Sequence, residues 1–176
     1  MSEFRTLNSD RPFFITLTVV GWIDVFTSSE YCDEVIKNLE FCQKNKDLKV
    51  YAYCIMSNHI HLIVANDGGR LSDILRDFKS YTAKKILEMV QNNPVESRRD
   101  WMMHLFKFYA KSTPQNKEHQ FWQKTNYPTE LITAEMFDQK VGYIHQNPVK
   151  ALYVTEAYSY VYSSANPDSP LKIDVS

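Results

Sequence analysis

Two histidines, His59 and His61, stand two residues apart in the run His59-Ile60-His61-Leu62-Ile63-Val64-Ala65. The run is apolar and β-branched, so it reads as a strand, in which residues i and i+2 point to one face. Two imidazoles side by side on a rigid strand make half of a divalent-metal site, with Ile60 turned into the core between them. A lone His-x-His more often describes two ordinary sheet-surface histidines, and that reading stays open on the spacing alone. A second pair, Tyr143 and Asn147, is spaced i, i+4 along a segment of helical periodicity, so both side chains share one helix face. Phenols ionise near pH ~10, so tyrosine is a weak nucleophile unless a metal or a cation favours the phenolate. Its chemistry suits a phosphodiester that must be broken reversibly, because transfer to tyrosine conserves the bond for rejoining. In a chain with 11 tyrosines, Tyr143 also fits a half-buried helix residue of no catalytic consequence.

The elements that must position these residues follow from pattern. Phe13 to Val20 reads as a buried central strand, and Lys49 to Met56 and His59 to Ala65 as two more, joined by a Ser57-Asn58 turn. Between the first and second, Thr27-x-x-Glu30 matches a capping box opening a helix from Ser28 to Lys44. A second helix is expected from Leu71 to Gln91, with Leu71, Ile74, Leu75, Phe78, Thr82, Ile86 and Met89 on one face. Residues 94–132 carry no clear period. A third helix is capped by Thr133, with Ile132 and Phe137 spaced for a hydrophobic staple, and is expected to stop at Asn147 because Pro148 disfavours helical geometry before it. Strand, helix, hairpin, helix is the order of a split βαβ unit. The expected fold is α+β, a ferredoxin-like (RRM-like) antiparallel sheet with helices on one face, forming one domain over residues 1–165 and a loosely ordered tail over 166–176.

Composition narrows the functional classes. The chain has 176 residues, 44% hydrophobic and 23% charged, which is globular rather than disordered. Its four glycines form neither a P-loop nor a dinucleotide-binding pattern. No apolar run approaches the ~18 residues of a membrane span, and the start lacks a signal-peptide pattern. Three cysteines without metal-type spacing are expected to be free thiols in a reducing cytoplasm. The net charge of −1 excludes a uniformly basic coat, yet residues 70–150 hold 13 basic and 9 acidic side chains, enough for a localised polyanion site.

The motifs also carry a family resemblance. Met56-Ser57-Asn58-His59-Ile60-His61-Leu62-Ile63 resembles the His-hydrophobe-His (HUH) motif of single-tyrosine (Y1) transposases. Tyr143-Ile144-His145-Gln146-Asn147-Pro148-Val149-Lys150-Ala151 resembles the Tyr-Ile-x-x-Asn-Pro-Val-Lys-Ala block of REP-associated tyrosine transposases. Phe78-Lys79-Ser80-Tyr81-Thr82 and Tyr160-Val161-Tyr162-Ser163-Ser164 are further matches, and the four blocks follow the family order. The resemblance implies metal-dependent cleavage and rejoining of single-stranded DNA through a covalent 5′-phosphotyrosine, at hairpin-associated sites.

Carried over, it makes His59, His61 and Asn147 the ligands of Mg²⁺ or Mn²⁺ and Tyr143 the nucleophile. Arg70, Arg76, Lys79, Lys84 and Lys85 are the expected DNA contacts, with Arg98, Arg99 and Lys107 in reserve. Trp101, Phe108, Tyr109, Trp122 and Tyr127 are candidates for stacking on unpaired bases. The expected partner is single-stranded DNA bearing hairpins, with no membrane, and the protein a monomer or homodimer. Two other classes compete. A non-catalytic single-strand binder of RRM-like shape would have no need of histidines and tyrosine together, and a metal-dependent hydrolase would place more carboxylates near His59 than the distant Asp67.

Overall fold

The computed structural model describes Leu7, residues 9–111 and residues 118–175. The extreme ends of the expected domain and tail therefore lie outside the described residues. Among the described residues the elements follow in order: β1 (Phe13–Thr18), a 3-10 turn (Val20–Trp22), α1 (Ser29–Lys46), β2 (Lys49–Ile55), β3 (His59–Ala65), α2 (Leu71–Asn92), α3 (Arg99–Lys111), β4 (Thr129–Glu130), α4 (Ala134–Lys150) and a second 3-10 turn (Ala157–Ser159). The strands form one antiparallel sheet of order β2-β3-β1-β4. This is the α+β, ferredoxin-like arrangement expected from the element order, with β3 and β1 at its centre.

Alternation along the strands divides the interior into two layers. Ile15 and Leu17 of β1, and Ile60, Leu62 and Val64 of β3, face the larger core shared with α1, α2 and α3. Each is fully buried, an apolar contribution of about 1.5–3 kcal/mol per side chain. Phe14 and Ile63 face the other way, into a smaller core closed by Leu131 and Ile144. The helices thus divide between the faces: α1 and α2 cover one as expected, and α4 covers the other. On α4 the apolar stripe Phe137, Val141, Ile144, Pro148 supplies that second contact.

The undecided segment around Trp101–Tyr109 is helical. Met102, Phe106 and Ala110 recur every four residues and are buried against the main core. Residues 121–126 then run beside β1, with Val20 N–H donating to Phe121 O at 2.8 Å, Gln123 N–H to Thr18 O at 2.8 Å and Thr16 N–H to Asn126 O at 2.9 Å. They extend the edge that β4 completes over only two residues. The opposite edge, β2, is covered by the carboxyl-terminal segment. Ile55 N–H donates to Tyr162 O, Ser164 N–H to Tyr53 O and Asp174 N–H to Val50 O, while Leu171 is buried in the main core. Residues 166–175, expected to be loose, are therefore held against the sheet and cover an otherwise open edge.

Three local expectations are corrected. The cap of α1 is Ser28, not Thr27, and makes no side-chain capping bond; Ser28 Oγ donates to Glu30 Oε1, which also receives Asn93 Nδ2. Thr133 does cap α4, accepting from Met136 N–H at 3.2 Å, but the staple is absent because Ile132 is exposed and Phe137 packs on Tyr51 instead. Finally, α4 continues through Pro148. Leu152 takes φ 61°, Leu152 N–H bonds Val149 O and Tyr153 N–H bonds Pro148 O, the pairing of a Schellman motif. Proline thus sits in the last turn, where only one intrahelical bond is lost.

Candidate active site

The β1–β3 register sets Thr16 opposite His61 and Thr18 opposite His59. Both histidines point to the α4 side, with ring centroids 4.7 Å apart. Each has its Nδ1 engaged. His59 Nδ1 donates to Asn58 Oδ1 at 2.7 Å, and His61 Nδ1 is hydrogen-bonded to Thr16 Oγ1 at 3.0 Å. Such partners fix ring orientation and leave Nε2 for a ligand. Asn58 is itself held, its Nδ2 donating to Asp24 Oδ1 at 2.9 Å, while Ser57 Oγ donates to the same oxygen at 2.6 Å.

Extension of α4 past Asn147 keeps Tyr143 and Asn147 on one helical face, over the histidines. The Tyr143 ring lies 5.2 Å from that of His61 and 5.7 Å, edge-on, from Phe14. Asn147, one turn further on, comes near enough to His59 to act on its proton affinity. Burial lowers the proton affinity of His59, with Asn147 opposing, and pushes the His61 pKa down to about 3, with His59 and the Lys140 ammonium adding to the effect. Both imidazoles are therefore neutral near pH 7, the state in which they can bind a cation.

Two lysines complete the α4 face. Lys140 Nζ lies 4.4 Å from the Phe14 ring centroid and 5.5 Å from that of Tyr143, and Lys150 Nζ lies 5.7 Å from the Tyr143 centroid. Among the described residues no group of three or more His, Cys, Asp or Glu side chains is placed to hold a metal ion. Asp67 is instead paired with Lys49 at 2.7 Å. The cleft thus holds two neutral imidazoles, an amide, a phenol and two ammonium groups. Such a set fits an anionic substrate held with a cation ligated by two nitrogens and an amide; it lacks the carboxylate cage of an all-protein Mg²⁺ site.

The expected DNA contacts on α2 are not brought to this cleft. α2 packs on the opposite sheet face. Arg76 is paired with Asp73 and Asp77, Lys85 with Glu88, and Lys79 Nζ donates to Gln123 O and Asn126 Oδ1, tying α2 to the β1 edge. Lys84 borders a groove between α1 and α2, and Arg70 stands exposed at the start of α2. Of the stacking candidates, Trp122 is core, its Nε1 donating to Thr82 Oγ1, whereas Trp101, Phe108 and Tyr127 are exposed. His145 turns from the site to Ser164 Oγ at 2.9 Å. The sequence reading did not single out Thr16, Asp24 or Lys140. Lys140 alone had a usable signal, since it lies one turn before Tyr143 on the same face.

Residues 23–124 match the family model described as "Transposase IS200 like", which is more than half of the chain, and the protein belongs to this family. The matched span contains both histidines and ends before α4. Among solved structures the chain is similar to a REP-associated tyrosine transposase bound to a REP hairpin, with a TM-score of 0.65 and 16% identity, over all of this chain and 93% of that one. No curated protein matches the sequence. Among the described residues no helix is long and apolar enough to cross a membrane.

Proposed function

We propose that this transposase-family protein cleaves and rejoins single-stranded DNA through Tyr143. The observation that carries the reading is the convergence of His59 and His61 from β3 with Tyr143 and Asn147 from α4 in one cleft. His59, His61 and Asn147 would hold Mg²⁺ or Mn²⁺, which would supply positive charge where the departing 3′ oxygen develops negative charge. Tyr143 loses its phenolic proton to solvent and attacks the phosphorus. The new bond joins the Tyr143 oxygen to phosphorus, the bond from phosphorus to the 3′ oxygen breaks, and that oxygen takes up a proton to leave a 3′-OH. A 3′-OH attacking the phosphotyrosine reverses the step and releases Tyr143. Lys140 and Lys150, both with Nζ near the Tyr143 ring, favour an adjacent phosphate.

A single strand suits this cleft better than a duplex, whose stiffness over ~150 base pairs resists splaying. The hairpin bound in the similar solved structure supports an attached hairpin as part of the substrate. Arg70, Arg76, Lys84 and Lys85, on the far face, are available only to DNA outside the cleft, such as that hairpin.

The test is to incubate the protein with hairpin-bearing single strands labelled at the 3′ end, with Mg²⁺ or Mn²⁺, and to resolve products under denaturing conditions. Wild type should carry label and Tyr143→Phe should not, while both bind the strand. An adduct on the Phe variant would make another tyrosine the nucleophile. Binding without any adduct would leave a non-catalytic single-strand binder.

A further inference from the structure

Beside the histidines stands an aromatic side chain that neither chemistry nor packing accounts for. Trp22 follows β1 and is 59% exposed as a residue, while Val20 and Ile23 beside it are buried. Its backbone lies in the left-handed region at φ 55°, directly after Gly21 at φ 61°. A bulky L-residue is disfavoured there, so the surroundings must impose the conformation. They do so from three sides. The Tyr109 ring occupies the space a Cβ on Gly21 would need, at 2.5–2.7 Å, so only glycine fits beneath it. Trp22 N–H donates to Val19 O at 3.1 Å. Trp22 O accepts from Asn58 Nδ2 at 3.4 Å, and Asn58 Oδ1 accepts a hydrogen bond from His59 Nδ1.

The indole and the His59 ring are therefore fixed in one frame, with centroids 6.0 Å apart and planes at 74°. Strain that ends in an exposed side chain is not repaid by burial. We propose that Trp22 is a stacking platform for one unpaired base of the DNA strand, next to the phosphate that the histidine–tyrosine cleft receives. This rests on the single-strand cleavage reading and adds to it a base-binding subsite. The chemistry favours a nucleobase: the ligand is already anchored by its phosphate at a cleft with two ammonium groups, and its next flat surface meets a rigid indole. Stacking has no need of base-edge hydrogen bonds, so the subsite grips the strand without reading its sequence.

The test uses the full chain carrying Tyr143→Phe, so that binding is measured without cleavage. Hairpin-bearing single strands, intact or with one abasic nucleotide at each position in turn, are titrated by fluorescence anisotropy at one salt concentration. Trp22→Ala should weaken binding of the intact strand about ten-fold, and Trp22→Phe should restore most of it. One abasic position should weaken the Trp22 protein about as much, and there Trp22→Ala should cost nothing further. Unchanged affinity in Trp22→Ala, or an equal further loss at every abasic position, overturns the subsite alone. If the Trp22-containing parent binds no single strand, the cleavage reading falls and the subsite with it. Adduct formation by the protein with Tyr143 intact reports on that reading independently of Trp22.

Discussion

Thr16 and His61 face each other across the central strand pair, and Thr16 Oγ1 reaches His61 Nδ1 at 3.0 Å. The contact joins the sheet register to the chemistry of the cleft, because it selects which imidazole nitrogen is left for a ligand. Thr16→Val keeps the shape and removes the hydroxyl. His61 is only 4% exposed, so its Nδ1 would lose its partner out of reach of water. We expect a stability loss of about 1–3 kcal/mol in denaturant titration and a Mn²⁺ affinity lower by roughly 10–100-fold in calorimetry. Unchanged Mn²⁺ affinity would remove Thr16 from the site.

The same burial makes the metal-free protein sensitive to mild acid. An unfolded histidine titrates near pH ~6.5, whereas the His61 pKa is pushed down to about 3, first by burial and then by His59 and Lys140. Between these values the unfolded chain binds a proton that the folded chain refuses. The stability contributed by neutral His61 is therefore whole above pH ~6.5 and is lost as pH falls toward about 3, at up to about 1.4 kcal/mol per unit. His59, also lowered by burial, acts in the same direction. Urea unfolding with a chelator present, from pH 7.5 to pH 5, should show this slope, and His61→Asn should flatten it. A flat profile for wild type would contradict a neutral buried pair.

Lys140 offers a charge test of the cleft. Its ammonium is 4.4 Å from the Phe14 ring and 5.5 Å from the Tyr143 ring, and its charge is felt at His61. If it meets a DNA phosphate, Lys140→Met should weaken single-strand binding and lower the salt-dependence slope by about 0.7, the value for one phosphate contact on a single strand. Lys84→Met, on the α1–α2 groove across the sheet, should leave cleavage of a hairpin-free strand unaltered. Equal slopes for wild type and Lys140→Met would place the phosphate elsewhere.

Elements with a strong period were legible in the sequence, and contacts made across the fold were not. β3 matches its expected bounds because an apolar β-branched run between polar turns has few alternatives. The start of α2 likewise follows from its long amphipathic stripe. Tyr143 and Asn147 were legible as a pair from their spacing, but only packing on Phe14 and Ile63 explains why their helix lies on the histidine side. The α2 cations looked like a DNA surface because charge can be counted along a sequence. The sheet face that carries α2, and the ties of Lys79 and Arg76 to their neighbours, depend on tertiary contacts. Trp22 was not legible because it lies just past a buried strand run, and nothing local announces its positive φ.

The end of α4 supports a prediction about stability alone. Local rules stop the helix at Asn147, yet it runs to Lys150 and closes through Leu152 at φ 61°. At that position of a Schellman motif glycine is the usual residue, since a Cβ in the left-handed region costs about 1–2 kcal/mol. Leu152 is 90% exposed, so its side chain returns almost nothing in packing. Part of the gain from Leu152→Gly is cancelled by the greater freedom of glycine in the unfolded chain. A net stabilisation of about 1 kcal/mol is expected, which raises Tm by roughly 2–4 °C in a chain of this size. Adduct formation should be unaltered, because Asn147 and Tyr143 keep their places about one and two turns earlier, respectively. A lower Tm would mean that the leucine makes contacts the Schellman geometry does not require, and that α4 is held past Pro148 by something other than its cap.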